Sequence, residues 1–172
     1  MNQQLRPMRA SDLPAVLALQ ARAYAPFFHE PAAAFRSKLA TFPEWAWVAE
    51  DDRGRLAAYL FAQPARLGHP PCLGEGGRVA VPADTLHLHD LAVCPMSRGA
   101  GWARRLTAHA LGSAQNNDSS HGRLEWASLI AVQGSVPFWA RHGFAPGHPV
   151  PDLSSYGPDA AYLVRPLAAP GL

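Results

Sequence analysis

The residues best suited to chemistry lie where an apolar strand pattern gives way to a helical one. Residues 85–93 read as a buried strand, and Arg98-Gly99-Ala100-Gly101 leads into an amphipathic pattern over residues 101–115. The two glycines allow a sharp turn and leave no Cβ in front of the loop amides. Such amides and the following helix start attract phosphate, and Arg104 and Arg105 add positive charge. The stretch therefore predicts a pyrophosphate site.

Two common phosphate-binding loops do not match this stretch. A Walker loop requires Gly-Lys followed by Ser or Thr, and the only lysine of the chain is Lys38. A dinucleotide-binding loop requires a third glycine where the helix packs on the strand, and Arg104 occupies that position. The loop therefore belongs to neither class.

The elements that would position the loop form a mixed α/β pattern. Helical spacing is found at residues 12–24, 32–39, 101–115 and 135–142. Extended patterns are found at residues 5–8, 45–50, 55–62, 85–93, 124–132 and 161–165. Ser11 is the predicted N-cap of the first helix, and Gly143 is predicted to end the last one. The glycine- and proline-rich residues 64–82 predict a long loop, and residues 116–121 a polar one.

Composition fits one packed domain and argues against several other classes. The chain has 172 residues, of which 48% are hydrophobic and 16% charged, so we expect a single domain over residues 1–172 with residues 166–172 as a tail. A net charge of only +2, without a basic stripe, argues against nucleic-acid binding. No apolar run is long enough for a membrane span. Two cysteines and the lack of an apolar leader predict a cytoplasmic location.

Three segments together resemble the GNAT superfamily of acyl-CoA N-acyltransferases. The acyl-CoA signature of that family, Arg/Gln-x-x-Gly-x-Gly/Ala, is matched by Arg98-Gly99-Ala100-Gly101-Trp102-Ala103, directly after a strand. Residues 136–144, which end in Gly-Phe, resemble the family's closing helix. Residues 5–13 resemble its first strand and helix. The likeness extends from residue 5 to about residue 165.

The resemblance implies a fold, an activity and partners. The fold would be a mixed central sheet of about six or seven strands, with helices on both faces and a splayed pair of central strands. The activity would be transfer of an acetyl group from the co-substrate acetyl-CoA to a primary amine, by direct attack in a ternary complex. The acceptor would be a small molecule or a peptide, and a homodimer is an expectation because relatives often dimerise. The alternative is a non-catalytic acyl-CoA-binding sensor.

For the cofactor, the resemblance implies two contact regions. The strand end would bind the pantetheine arm, and the loop would hold the pyrophosphate. A backbone N–H near Leu91 would polarise the thioester carbonyl and stabilise the oxyanion formed on attack. The residues predicted to bind the cofactor are Leu91, Ala92, Val93, Arg98, Gly99, Ala100, Gly101, Trp102, Ala103 and Arg104.

Direct attack requires a general base, because a lysine-like amine has a pKa near 10.4 and is protonated at neutral pH. His87 and His89 share a strand face with Leu91, whereas Asp90 points to the other face. Imidazole has a suitable pKa for this role. Glu125, on the adjacent strand, is the third candidate. A histidine on a half-buried strand is more often a hydrogen-bonded structural residue, so that reading stays open.

For the general acid, the sequence departs from the family pattern. Relatives commonly place a tyrosine four residues before the Gly of the closing Gly-Phe, and this position is Trp139, whose indole cannot serve as the acid. Water, or Tyr24 or Tyr156 from a loop, would then protonate the CoA thiolate. The same departure motivates the non-catalytic alternative.

Two further groups of residues could form a metal site or an acceptor pocket. His87, His89 and Cys94 lack a fourth ligand at a suitable spacing, so no metal site is predicted. Residues 27–30, Phe-Phe-His-Glu, are predicted to line an acceptor pocket. Within them, Glu30 is predicted to pair with a cationic substrate.

Overall fold

The computed structural model describes residues 4–80, 82–116 and 122–167. Within these residues the helices are α1 Leu13–Ala23, α2 Ala32–Thr41, α3 Trp102–Asn116 and α4 Val136–Ala140. The strands are β1 Gln4–Pro7, β2 Ala46–Glu50, β3 Leu56–Ala65, β4 Thr85–Val93, β5 Trp126–Ala131, β6 Ala145–Pro146 and β7 Ala161–Pro166. None of the helices in these ranges has the length and apolarity required to span a bilayer.

The strands form one mixed sheet in the order β1-β2-β3-β4-β5-β7-β6. The pairs β1–β2, β2–β3, β5–β7 and β6–β7 are antiparallel, and β4–β5 is parallel. The parallel register ends at Leu88 and Leu129, although β4 continues to Val93 and β5 to Ala131. This mixed α/β sheet, in which the pairing of two central strands stops before they end, confirms the predicted fold class.

By its internal contacts the chain divides into two compact units. The first comprises residues 1–62, 74–78 and 90–110, and the second comprises residues 63–73, 79–89 and 111–172. Strands β3 and β4 and helix α3 each begin in one unit and end in the other. The single domain over residues 1–172 stays a prediction.

The first unit has an apolar core beneath its two N-terminal helices. Val16 and Leu19 of α1 and Phe35 of α2 are fully buried. The ring of Phe35 contacts the rings of Tyr59 and Phe61 in β3, with centroid distances of 6.3 and 5.3 Å. Burial of each such side chain contributes about 1.5–3 kcal/mol. This core fixes α1 and α2 against the hairpin formed by β2 and β3.

The second unit is organised around β5, which is paired on both sides. Ala127 lies opposite Leu86 in the parallel pair, and Leu129 lies opposite Leu163 in the antiparallel pair with β7. All four side chains are buried. An apolar strand is the pattern expected for a central position in a sheet.

The predicted N-cap at Ser11 is wrong. A 3-10 turn, Ala10–Asp12, precedes α1, and its N-cap residue is Arg9. The carboxylate of Asp12 accepts the N–H of Arg9 at 2.7 Å and also two hydrogen bonds from the guanidinium of Arg6. A carboxylate is a stronger acceptor than a hydroxyl, so Asp12 rather than Ser11 caps this end.

Several predicted boundaries also shift. Helix α4 is shorter than residues 135–142, and Gly143 adopts a φ of 80° just beyond it. Strand β3 continues to Ala65, so the long loop begins later than residue 64. Strand β6 was not predicted, because two residues that include a proline give no strand pattern. Residues 117–121 of the predicted polar loop and 168–172 of the predicted tail lie outside the described residues.

Candidate functional site

The strand that leads into the glycine loop is anchored where it ends. Strand β4 ends at Val93, and the N–H of the buried Cys94 donates to the carbonyl of Ala57 in β3 at 2.7 Å. A 3-10 turn, Pro95–Ser97, then carries the chain to the glycines. The start of the loop is therefore fixed by the sheet of the first unit.

The two glycines of the loop both need the left-handed backbone conformation. Gly99 has a φ of 82° and Gly101 a φ of 80°, which other residues rarely adopt. A Cβ placed at either position would meet no atom within 4 Å. The sharp turn is thus as predicted, and the space in front of these glycines is open.

The loop and the first turn of α3 present a row of free amides. Among the described residues, no protein group accepts a hydrogen bond from the backbone N–H groups of residues 99–104. The first hydrogen bond of the helix runs from the N–H of Arg105 to the carbonyl of Gly101, at 3.0 Å. Free amides at a helix start, together with the helix dipole, favour an anion.

The three arginines next to these amides in the sequence have different environments. Arg98 and Arg104 are exposed, and no carboxylate among the described residues forms an ion pair with either. Arg105 instead lies over the ring of Trp102, 4.3 Å from its centroid. The side chain of Trp102 is buried and packs the helix start. Only the backbone amide of Trp102 is therefore available to a cofactor.

Two tyrosine hydroxyls hold the adjacent end of β4. The hydroxyl of Tyr24 donates to the carbonyl of Leu91 at 2.6 Å, and that of Tyr59 donates to Asp90 Oδ2 at 2.8 Å. Burial raises the pKa of both phenols well above its ordinary value, and the negative charge of Asp90 raises each pKa further. Both hydroxyls therefore keep their protons and act as donors.

The prediction that Glu30 would bind a cationic substrate is wrong for a physical reason. Its carboxylate is buried and forms an ion pair with Lys38 at 2.6 Å, and the same oxygen accepts the N–H of Gly74 at 2.6 Å. The side chain of Gln20 bonds both the N–H and the carbonyl of Glu30. A buried carboxylate that already has an ammonium partner is not accessible to a cationic substrate.

The neighbours of Glu30 in the predicted acceptor pocket differ from it. Phe27 is 60% exposed and contacts the ring of Phe28 edge-on. The Nε2–H of His29 donates to the carbonyl of Tyr24 at 2.8 Å. An acceptor pocket on these three residues stays a prediction.

In the second unit, His87 and His89 lie on one face of β4, as predicted, with ring centroids 5.9 Å apart. His87 is buried, and its Nδ1 shares a hydrogen bond of 2.9 Å with the hydroxyl of the buried Ser128. This contact is typical of a structural histidine. His89 is less buried than His87, and its role as the general base stays a prediction.

Glu125 is not brought to the same end of β4 as His89. It precedes Trp126, the partner of Thr85, and its N–H donates to the carbonyl of Asp84 at 2.8 Å. It therefore lies level with Asp84, and His89 is five residues further along the strand, about 16 Å away. The two side chains do not act on one atom.

The aromatic residues considered for proton donation also have defined environments. Trp139 is buried and packs edge-on against Phe144, with a centroid distance of 5.6 Å. The hydroxyl of Tyr156 is buried and donates to the carbonyl of Pro71 at 2.9 Å. The hydroxyl of Tyr24 instead donates to the carbonyl of Leu91, a residue predicted to bind the cofactor.

Two contacts were not predicted from the sequence: the hydrogen bond from Tyr59 to Asp90 and the ion pair between Glu30 and Lys38. A weak signal existed for each, because a lone carboxylate within an apolar strand and a lone lysine within a helix both need partners if they are buried. The partners themselves give no local signal. As for metals, no three metal-ligating side chains lie together in the described ranges.

The chain was compared with protein families, with curated sequences and with solved structures. The sequence profile of the acetyltransferase (GNAT) family matches residues 13–144. No curated protein sequence matches the chain significantly.

Solved structures share the fold at low sequence identity. The ribosomal-protein-S18-alanine N-acetyltransferase from Escherichia coli has a TM-score of 0.69 at 18% identity, with 98% of this chain and 96% of that chain covered. The GphF GNAT-like decarboxylase, solved with isobutyryl-CoA, has a TM-score of 0.68 at 20% identity, with 96% and 100% covered. The GNAT family N-acetyltransferase YhbS from Escherichia coli, solved with CoA, has a TM-score of 0.59 at 22% identity, with 96% and 82% covered. With the family profile matched over more than half of its length, the chain belongs to the acetyltransferase (GNAT) family.

Proposed function

We propose that this protein binds acetyl-CoA and transfers its acetyl group to a primary amine. The observation that carries the proposal is the row of backbone amides at residues 99–104, which have no acceptor among the described protein groups. Family membership supports it, and so do the CoA and isobutyryl-CoA bound in two structures with this fold.

The pyrophosphate would lie on the amides of residues 99–104, with Arg98 and Arg104 as counter-charges. Neither arginine has a carboxylate partner among the described side chains, so neither has to break an ion pair to bind phosphate. Arg104 sits in the first helical turn and Arg98 just before the glycines. Amides and guanidinium groups together supply the charge-assisted hydrogen bonds that a diphosphate needs.

The pantetheine arm would follow the edge of β4 at residues 91–93. The N–H of Cys94 points to β3, and successive residues of a strand direct their N–H groups to alternate edges. Leu91 lies three residues earlier, so its N–H points to the edge opposite β3. That N–H would donate to the thioester carbonyl and stabilise the oxyanion that forms on attack.

Acetyl transfer would require the thioester to be held at Leu91 and a base to accept one proton. The amine nitrogen attacks the thioester carbon, the C–S bond breaks, and the electron pair leaves with the CoA thiolate. His89 would accept the proton that the amine loses, because a neutral imidazole is a suitable base near pH 7. A thiol has a pKa of about 8.5, so the thiolate can leave and be protonated by water.

Tyr24 is a poor candidate for the acid in this scheme. Burial and the charge of Asp90 raise the pKa of its phenol well above the ordinary value. Transfer of its proton to a thiolate would therefore be uphill. The CoA thiolate would therefore take its proton from water.

Titration calorimetry followed by turnover assays tests the proposal. We expect the wild-type protein to bind acetyl-CoA in the micromolar range and to acetylate at least one member of a panel of small amines and peptide N-termini. Release of CoA thiol, measured with a thiol reagent, reports transfer for any acceptor. No binding at millimolar acetyl-CoA would contradict the proposal.

A non-catalytic acyl-CoA sensor is the second candidate, and one observation favours it. Trp139, where relatives commonly carry a tyrosine acid, is buried against Phe144 and offers no proton. Tight binding of acetyl-CoA with no transfer to any amine in the panel would favour the sensor over the enzyme.

A further inference from the structure

The contact between Tyr24 and Leu91 lies at the same strand edge as the proposed thioester site. In an extended strand, the N–H and the C=O of one residue point to the same edge. The carbonyl of Leu91, which accepts the Tyr24 hydroxyl at 2.6 Å, therefore flanks the N–H of Leu91. Beyond Leu88 the parallel register with β5 has ended, so the edge of β4 that faces away from β3 has no strand partner in that register at Leu91.

Tyr24 is itself held firmly. It is the C-cap residue of α1, and its N–H donates to the carbonyl of Gln20 at 3.0 Å. Its carbonyl accepts the Nε2–H of His29 at 2.8 Å, and its ring contacts Phe28. Backbone contacts on both sides thus fix the position from which the hydroxyl reaches β4.

We propose that Tyr24 is a positioning residue for the thioester, which acts by fixing the backbone of Leu91 through its carbonyl. The proposal rests on the proposed function, because it requires an acyl-CoA at the edge of β4. Tyr24 satisfies the Leu91 carbonyl, so this backbone stays in the orientation that presents its N–H to a ligand. The hydroxyl does not have to transfer a proton in this role.

A comparison of two ligands isolates the carbonyl contact. Acetyl-CoA and S-ethyl-CoA have nearly the same shape, but only acetyl-CoA has a carbonyl oxygen to accept the N–H of Leu91. One neutral hydrogen bond corresponds to a preference of about three- to tenfold. We expect the wild-type protein to show this preference in calorimetry.

Tyr24→Phe removes only the hydroxyl and should abolish the preference while affinity for CoA itself stays within about twofold. Turnover should fall by about tenfold, and the KM for acetyl-CoA should rise by no more than the about three- to tenfold loss of affinity. Tyr156→Phe is the matched control, because it also deletes a tyrosine hydroxyl that donates to a backbone carbonyl, that of Pro71. The control should lose comparable thermal stability and keep the preference for acetyl-CoA.

Each other outcome has a defined meaning. A preference retained in Tyr24→Phe, or lost equally in Tyr156→Phe, overturns the positioning role while the proposed function stands. Equal binding of both ligands by the wild-type protein also overturns it. If the wild-type protein binds neither ligand, the proposed function fails and takes this inference with it.

A measurement on the wild-type protein tests the same inference without a variant, so it does not depend on whether Tyr24→Phe folds. With ¹⁵N-leucine labelling, the amide resonance of Leu91 should shift more on addition of acetyl-CoA than on addition of S-ethyl-CoA. Equal shifts with the two ligands would contradict the inference.

Discussion

Two polar regions of the first unit differ in whether their hydrogen-bonding groups have partners within the protein. In the buried cluster formed by Gln20, Glu30, Lys38 and Gly74, the carboxylate has both an ammonium and an amide donor, and the Gln20 amide bonds the Glu30 backbone twice. In the loop at residues 99–104, six consecutive amides have no acceptor among the described protein groups. The saturated region serves folding, whereas the open region has its donors available for a ligand. Substitutions in the two regions should therefore affect different measurements.

Lys38→Met should have the largest effect, and on stability alone. It leaves the carboxylate of Glu30 buried without its cation, which costs about 3–5 kcal/mol. Chemical denaturation measures this loss. The double variant Lys38→Met/Glu30→Gln should regain much of it, because a neutral amide oxygen can still accept the N–H of Gly74. If the single variant weakens CoA binding while it is fully folded, the separation of the two regions is wrong.

Gly101→Asp should have the next largest effect, on ligand affinity. A carboxylate beside the pyrophosphate should weaken CoA binding by about 100-fold or more, equivalent to about 2.7 kcal/mol. Gly101→Asn has the same shape without the charge and should lose much less. Gly54→Asp, at a turn where φ is 70° and a Cβ also meets no atom, controls for backbone strain. Equal CoA affinity in the Asp and Asn variants of Gly101 would show that no phosphate lies there.

Arg98→Gln and Arg104→Gln should each weaken CoA binding by about three- to tenfold, since each removes one exposed counter-charge. The loss should shrink as salt is raised, because ions screen exposed charges. Arg53→Gln, in the exposed turn between β2 and β3, is the control and should change nothing. Salt-independent losses would argue against a phosphate contact.

Asp12→Asn removes one of the two carboxylates that form ion pairs with Arg6, and it should have the smallest effect. The guanidinium of Arg6 lowers the pKa of Asp12 below its ordinary value of 3.8. The ionised carboxylate therefore contributes stability at pH values above 3.8, and this contribution is lost as the pH falls through the lowered pKa. We expect Asn to cost about 0.5–1 kcal/mol at pH 7.

Thermal unfolding across a pH series checks this prediction. The difference between Asp12→Asn and the wild-type protein should narrow as the pH falls below 3.8. A constant difference between pH 7 and pH 3 would assign the effect to packing and not to charge.

The sequence predicted those features that depend on neighbouring residues. Strand β4 has the predicted bounds, and the glycines at 99 and 101 turn as expected, because both signals are contained within a few residues. The N-cap prediction was wrong because two neighbouring residues could both serve as acceptors. Ser11 and Asp12 are both possible acceptors, and the arginine at residue 6 that favours Asp12 lies on a different element.

Features that depend on distant residues could not be predicted. Leu91 and Tyr24 are 67 residues apart, and no pattern in either segment indicates the other. Glu125 is a plausible base only if the register of β5 brings it level with His89, and register is decided by tertiary pairing. The conformation of the loop could therefore be predicted, but the side chains that other elements place near it could not.

We expect the amides of residues 99–104 to bind the diphosphate of CoA. Two-dimensional ¹H–¹⁵N NMR of the uniformly labelled protein, titrated with CoA, observes these amides directly. We predict that the resonances of Gly99, Ala100, Gly101, Trp102, Ala103 and Arg104 shift together and saturate at one dissociation constant, which should match that from calorimetry. Saturation of CoA binding with these six resonances unmoved would contradict the claim.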